Sequence, residues 1–94
     1  MQQEKERVVV TVIGKDRIGI VAGISSVLAS KGANILDLTS TQMRDLFVMV
    51  TLVEIDPKKV SFKELQEALN DKAEELGVQV LAQHENIFKY MHRI

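Results

Sequence analysis

The sequence predicts an α+β sandwich with the element order βαββαβ, a four-stranded antiparallel sheet carrying two helices on one face. Three observations predict it. Residues 8–13 and 46–53 are apolar on both faces, the pattern of central strands. Residues 33–43 and 78–83 mix or alternate polar and apolar positions, as edge strands do. The two intervening segments repeat apolar residues every three or four positions, the spacing of an amphipathic helix.

Composition sets the frame for these elements. The chain has 94 residues, 46% hydrophobic and 27% charged, enough for one domain with a single two-layer core. A net charge of −1 lacks the concentrated basic surface that counterion release from nucleic acid requires, so no nucleic-acid partner is expected. The chain has no cysteine, which excludes disulfides, thiolate metal sites and thiol nucleophiles. No metal or cofactor is expected. The opening Met1 to Arg7 is polar and carries no signal-peptide core, and no apolar run approaches the ~20 residues of a membrane span. A cytoplasmic location away from membranes is the expectation.

Residues 1–6 read as a lead-in, residues 7–85 as the domain and residues 86–94 as a helical tail. The first strand ends at Gly14, and the helical pattern that follows carries Ile20, Val21, Ile24, Val27 and Leu28 on one face. Gly19 and Gly23 lie inside that helix at a cost of ~1 kcal/mol each against alanine, so a close approach by backbone, sheet or ligand is expected there. Gly32 is placed as the left-handed residue that stops the helix.

In the second strand, Leu36, Leu38 and Ser40 point one way, and Ile35, Asp37, Thr39 and Thr41 the other. Arg44-Asp45 is a tight polar break, so the second and third strands form a hairpin, although without a favoured Asn-Gly turn. Asp56-Pro57-Lys58-Lys59 makes a turn that Pro57 keeps from continuing the strand. Ser61 and Glu64 have the spacing of a capping box, and Phe62, Leu65, Leu69, Ala73 and Leu76 form the buried stripe of the second helix, stopped by Gly77. Val78, Val80 and Ala82 face inward on the last strand. Ile87, Tyr90, Met91 and Ile94 have helical spacing in the tail.

This order is that of the ferredoxin-like fold, in which the strands lie 4-1-3-2. Both helices cover one face of the sheet. Val8, Val10, Val12, Val48, Val50 and Leu52 cannot all lie beneath them, so an apolar face remains for the tail or a second subunit to cover.

The candidate site is the turn from Gly14 through Lys15, Asp16, Arg17 and Ile18 to Gly19, where a strand hands over to a helix start and backbone N–H groups face a ligand. A phosphate-binding P-loop is excluded, because Ile20-Val21 stand where Lys-Ser/Thr must follow the second glycine. An RNA-recognition motif needs outward aromatic residues on the first and third strands, and only Phe47 is available. His84 and His92 lack a cysteine or a convincing carboxylate partner for catalysis and read as surface or interface residues.

Asp16-Arg17-Ile18-Gly19 after a strand, followed by Gly32-Ala33-Asn34-Ile35 at the start of the second strand, resembles the ACT domain family of small-molecule-binding regulatory modules. The resemblance covers about residues 7–85. The length and the tail are similar to the small free-standing single-ACT proteins of bacteria and archaea, a group without an assigned activity. Where family members commonly have proline or another residue before the second glycine, this chain has Ile18. The resemblance implies a non-catalytic module that senses an amino acid or related metabolite at the interface of a homodimer or higher oligomer. Gly14, Asp16, Arg17, Ile18, Gly19, Asn34 and Ile35 would line the pocket, with Arg17 and helix-start amides on a carboxylate and Asp16 or Asn34 on an amino group. With no output domain in the sequence, the response passes to a protein partner. Each residue also has a plainer reading: Asp16 as a helix cap, Arg17 as a surface charge, Asn34 as a turn former. Two other functions compete with this one. The first is an oligomerisation or adaptor domain; the second is a small acylphosphatase-like enzyme using Arg17 and Asn34, which lacks the glycine-rich phosphate loop of such enzymes.

Overall fold

β1 (Glu6–Gly14) and β3 (Leu46–Ile55) pair antiparallel along the middle of the sheet, with Val8 opposite Val53 and Val12 opposite Met49. Both are rich in β-branched side chains, which suit a pleated surface packed on two sides. On one face Val8, Val10, Val12, Met49, Thr51, Val53 and Ile55 are each no more than 1% exposed. This is the floor of the core. The computed structural model describes residues 5–86.

α1 (Arg17–Ser30) and α2 (Phe62–Leu76) form the second layer, while β2 (Asn34–Met43) and β4 (Gln79–His84) take the edges. The strand order is β2-β3-β1-β4, the expected arrangement read from the opposite edge. β2 pairs with β3 and β4 with β1, all antiparallel. Val48, Val50 and Leu52 lie on the sheet face turned away from the helices and are half-buried, so the expected leftover apolar face is present.

α1 ends as Gly32 allows. At φ +73° it donates its N–H to Ala29 at 3.0 Å, and Ala33 donates to the Leu28 carbonyl at 2.9 Å. These bonds satisfy carbonyls that the helix end would leave open. α1 buries Ile20, Ile24 and Leu28; Val21, expected on the same stripe, is 36% exposed because the buried face is narrower than the periodicity implied. α2 buries Leu65, Leu69 and Ala73. Its start is the expected capping box: the Glu64 N–H donates to Ser61 Oγ at 3.1 Å, and the Ser61 N–H donates to Glu64 Oε1 at 2.8 Å.

Two local expectations change. Gly23 was expected to relieve packing of helix on sheet, or contact with a ligand. A Cβ there would instead stand 2.8 Å from Leu76 Cδ1 and 3.4 Å from Lys72 Cδ, so the glycine lets α1 approach α2. In β2, Ile35 is opposite Val53 and Asp37 opposite Leu52, leaving Leu36 as an unpaired bulge residue. The extra residue shifts the alternation, and Ile35 joins Leu38 and Ser40 on the helix side instead of sharing a face with Asp37. Every residue of β2 is exposed.

The C-terminal helix was expected over residues 86–94, of which 87–94 lie outside the described residues. Among the described residues no helix is long and apolar enough to cross a membrane.

Candidate functional site

β1 delivers its last residue, Gly14, opposite Phe47 at the end of the sheet where α1 begins. A Cβ on Gly14 would lie 2.8 Å from Ile20 Cδ1 and closer still to Val78 Cγ1. This glycine therefore lets the first turn of α1 and the lead into β4 close over the strand end. Its first role is packing.

Asp16 is the N-cap of α1, extended at φ −89° and ψ 92°. Its Oδ1 accepts the Gly19 N–H at 3.1 Å, and its carbonyl accepts the Ile20 N–H at 2.9 Å. The plainer reading of Asp16 holds. A Cβ on Gly19 would stand 2.8 Å from the other Asp16 oxygen, so within the protomer Gly19 makes room for the capping carboxylate rather than for β2. With Gly19 and Ile20 bonded, the amides of Arg17 and Ile18 are the ones the helix start leaves open.

Arg17 reaches from this turn toward the hairpin of β2 and β3. Its guanidinium carbon lies 6.0 Å from the centre of the Phe47 ring, at the outer limit of a cation–π contact. A cavity of about 200 Å³ beside it is lined by Arg17, Ser40, Thr41, Gln42 and Phe47. Among the described residues no carboxylate stands within ion-pair distance of Arg17. The free guanidinium, a hydroxyl and an amide side by side suit a ligand carboxylate. Lys15 meets Asp45, in the turn of the same hairpin, at 3.8 Å, an exposed pair of little energetic weight.

Ile18 is 80% exposed and shares a shallow surface with Val21 and Ala22, on the side of α1 that does not bury into the sheet. The turn thus combines a guanidinium that no carboxylate among the described residues pairs with, two open amides and an apolar shoulder.

Asn34 and Ile35 are elsewhere. Asn34 is opposite Glu54, which is opposite Arg7, whereas the turn is at Phe47. The seven residue steps from Phe47 to Glu54 amount to roughly 23 Å at ~3.3 Å per residue. Within one protomer the fold brings Gly14, Asp16, Arg17, Ile18 and Gly19 together, and it holds Asn34 and Ile35 at the far end of β2. Ser40, Gln42 and Phe47, which the sequence analysis did not place in the site, are the residues that face Arg17. The signal for them was Ser40 two residues from Leu38 on the helix side of the edge strand.

Comparison with known proteins agrees with this architecture. The sequence profile of the ACT domain matches residues 6–83. The UPF0237 protein of Methanocaldococcus jannaschii is 62% identical over 88 residues, covering 94% of this chain and 98% of the relative. The UPF0237 protein of Methanopyrus kandleri is 57% identical over the same shares of each chain. Among solved structures, an ACT domain protein from Streptococcus pneumoniae superposes with a TM-score of 0.78 at 34% identity, covering 89% of this chain and 94% of that one. ACT domains are in general ligand-binding regulatory modules. A profile match spanning all four strands, with full-length relatives at this identity, has one consequence: the chain belongs to the ACT domain family.

Proposed function

We propose that this protein is a non-catalytic sensor of an amino acid or similar small carboxylate metabolite, bound where two copies meet along β2. One observation carries the reading. The two halves of the expected pocket sit at opposite ends of the same edge of the molecule, roughly 23 Å apart by strand rise, and β2 between them is exposed throughout.

A two-fold antiparallel pairing of β2 with β2 sets the Asn34 end of one copy beside the Arg17 end of the other. Such a pairing is isologous, as the common dimer symmetry requires, and it satisfies the open backbone groups of an edge strand. The exposed Ile35, Leu36 and Leu38 then supply apolar contact area. Arg17 and the amides of Arg17 and Ile18 take the ligand carboxylate, while Asn34 and Ile35 of the second copy close the pocket around the rest. Ligand binding stabilises the pair by mass action, and that change of association is the signal a protein partner reads.

The test is calorimetric titration of the protein with a panel of amino acids and related carboxylates, repeated with Arg17→Ala. One member of the panel is expected to bind wild type, with affinity lost in the variant and sedimentation showing a dimer in both. No binding across the panel at millimolar concentration would remove the sensor reading and leave an assembly or adaptor role.

A further inference from the structure

The cavity beside Arg17 has walls of a single charge sign. Its lining is one guanidinium, the hydroxyls of Ser40 and Thr41, the Gln42 amide and the Phe47 ring, and no carboxylate among the described residues belongs to it. Asp16, next to Arg17 in the chain, borders the surfaces on the other sides of the turn instead. Its Oδ1 accepts the Gly19 N–H at 3.1 Å, which keeps the carboxylate on the helix start. Asp45, in the hairpin turn beyond, stands 3.8 Å from Lys15 and does not line the cavity.

A second copy paired along β2 leaves that sign unchanged. Two-fold antiparallel pairing keeps the helices of both copies on one side of a continuous sheet, and on that side β2 presents Ile35, Leu38, Ser40 and Gln42. None of these is charged. Asp37, opposite Leu52, and Glu54 lie on the other face. At the Asn34 end, Lys31 caps α1 and Glu64 stands close enough to feel its charge, so the two offset each other, and Glu64 also accepts the Ser61 N–H at 2.8 Å.

We infer, on the reading of this cavity as a metabolite site, that it selects a carboxylic acid without the ammonium group of an amino acid: an α-keto or α-hydroxy acid. The carboxylate meets the Arg17 guanidinium. The oxygen on the next carbon accepts from the Ser40 hydroxyl or from Gln42, whose Nε2 spends one N–H on the Arg44 carbonyl at 3.3 Å and keeps the other. An ammonium group in that place finds neutral acceptors but no counter-charge, and it stands beside a guanidinium. Like charges ~5 Å apart near a protein surface repel by enough to cost roughly tenfold in affinity. A singly charged anion neutralises the cavity, whereas a zwitterion leaves its positive charge in place. The space of about 200 Å³ in one protomer, below the ~300–1,000 Å³ of pockets that enclose larger ligands, suits a short acid.

The test is calorimetry with matched sets: pyruvate, lactate and L-alanine, then the keto, hydroxy and amino acids of the valine and leucine skeletons. In at least one set the keto or hydroxy acid is expected to bind about tenfold or more tightly than the amino acid. Gln42→Glu, which puts a carboxylate into the same wall, is expected to bring that ratio down. An amino acid that binds as well as its keto and hydroxy partners in every set that binds would overturn this inference and leave the sensor reading standing. No binding in any set at millimolar concentration would remove the sensor reading and this inference with it. A ratio that Gln42→Glu leaves unchanged would show that the charge of this wall does not set the choice, and that too overturns the inference.

Discussion

The Asp16 carboxylate and the Gly19 backbone form one unit: one oxygen accepts the Gly19 N–H at 3.1 Å, and the other lies 2.8 Å from where a Gly19 Cβ would be. The two residues of the family's Asp-Arg-x-Gly pattern are thus explained by each other before any ligand is considered. Asp16→Ala is expected to cost about 1 kcal/mol, the usual worth of an N-cap. Gly19→Ala drives the carboxylate off the cap, and that loss is offset by the ~1 kcal/mol helix preference of alanine over glycine. In the Asp16→Ala background the same change has no cap to displace and is expected to stabilise. Urea unfolding of the four variants measures this coupling, and strictly additive effects would contradict it.

Thr51 offers a stabilising change. It is fully buried at the centre of β3, between Val10 and Leu38, and among the described residues its hydroxyl has no hydrogen-bond partner. An unmet buried hydroxyl costs about 1–3 kcal/mol, so Thr51→Val, of nearly the same shape, is expected to raise stability by about 1 kcal/mol. A lower urea midpoint for the variant would show that the hydroxyl has a partner in solution.

The start of α2 predicts a pH dependence. Hydrogen bonds from the Ser61 backbone, then from its side chain, hold the Glu64 carboxyl below its ordinary value of 4.5. A carboxyl depressed in the folded state contributes stability above the unfolded value and loses it as pH falls through the folded one. Glu64→Gln, which removes the carboxylate and keeps the side-chain length, should therefore destabilise at neutral pH, and its difference from wild type should shrink as the solution is taken below pH 4.5. A difference that stays constant from pH 7 to pH 3 would show that the box carries no charge-dependent part.

The β2 edge predicts an assembly variant. Leu38 is 41% exposed, so Leu38→Lys costs the folded protomer little while placing a charge in the middle of the proposed pairing surface. Sedimentation is expected to show the variant as a monomer where wild type associates. Unchanged association would move the interface off β2.

How legible the molecule was depends on how local each feature is. The two central strands were readable from their unbroken apolar runs, and both helix ends from Gly32, Gly77 and the Ser61–Glu64 box, since each acts within a few residues. The bulge at Leu36 was not readable. It depends on which β3 residue each β2 residue meets, and the strand's own pattern fits either phase.

The sequence by itself determined the element order, the sheet order and the candidate turn at Gly14–Gly19, because period, caps and glycine placement are written in neighbouring residues. Only the tertiary structure decided what that turn is surrounded by. It gave Gly14 to packing against Ile20 and Val78, tied Gly19 to the Asp16 cap, brought Ser40, Gln42 and Phe47 to Arg17, and left Asn34 and Ile35 at the opposite end of the sheet. The physical reason is direction. α1 runs back along the sheet before β2 begins, so residues of one motif are carried apart by the length of a strand while residues distant in sequence become neighbours.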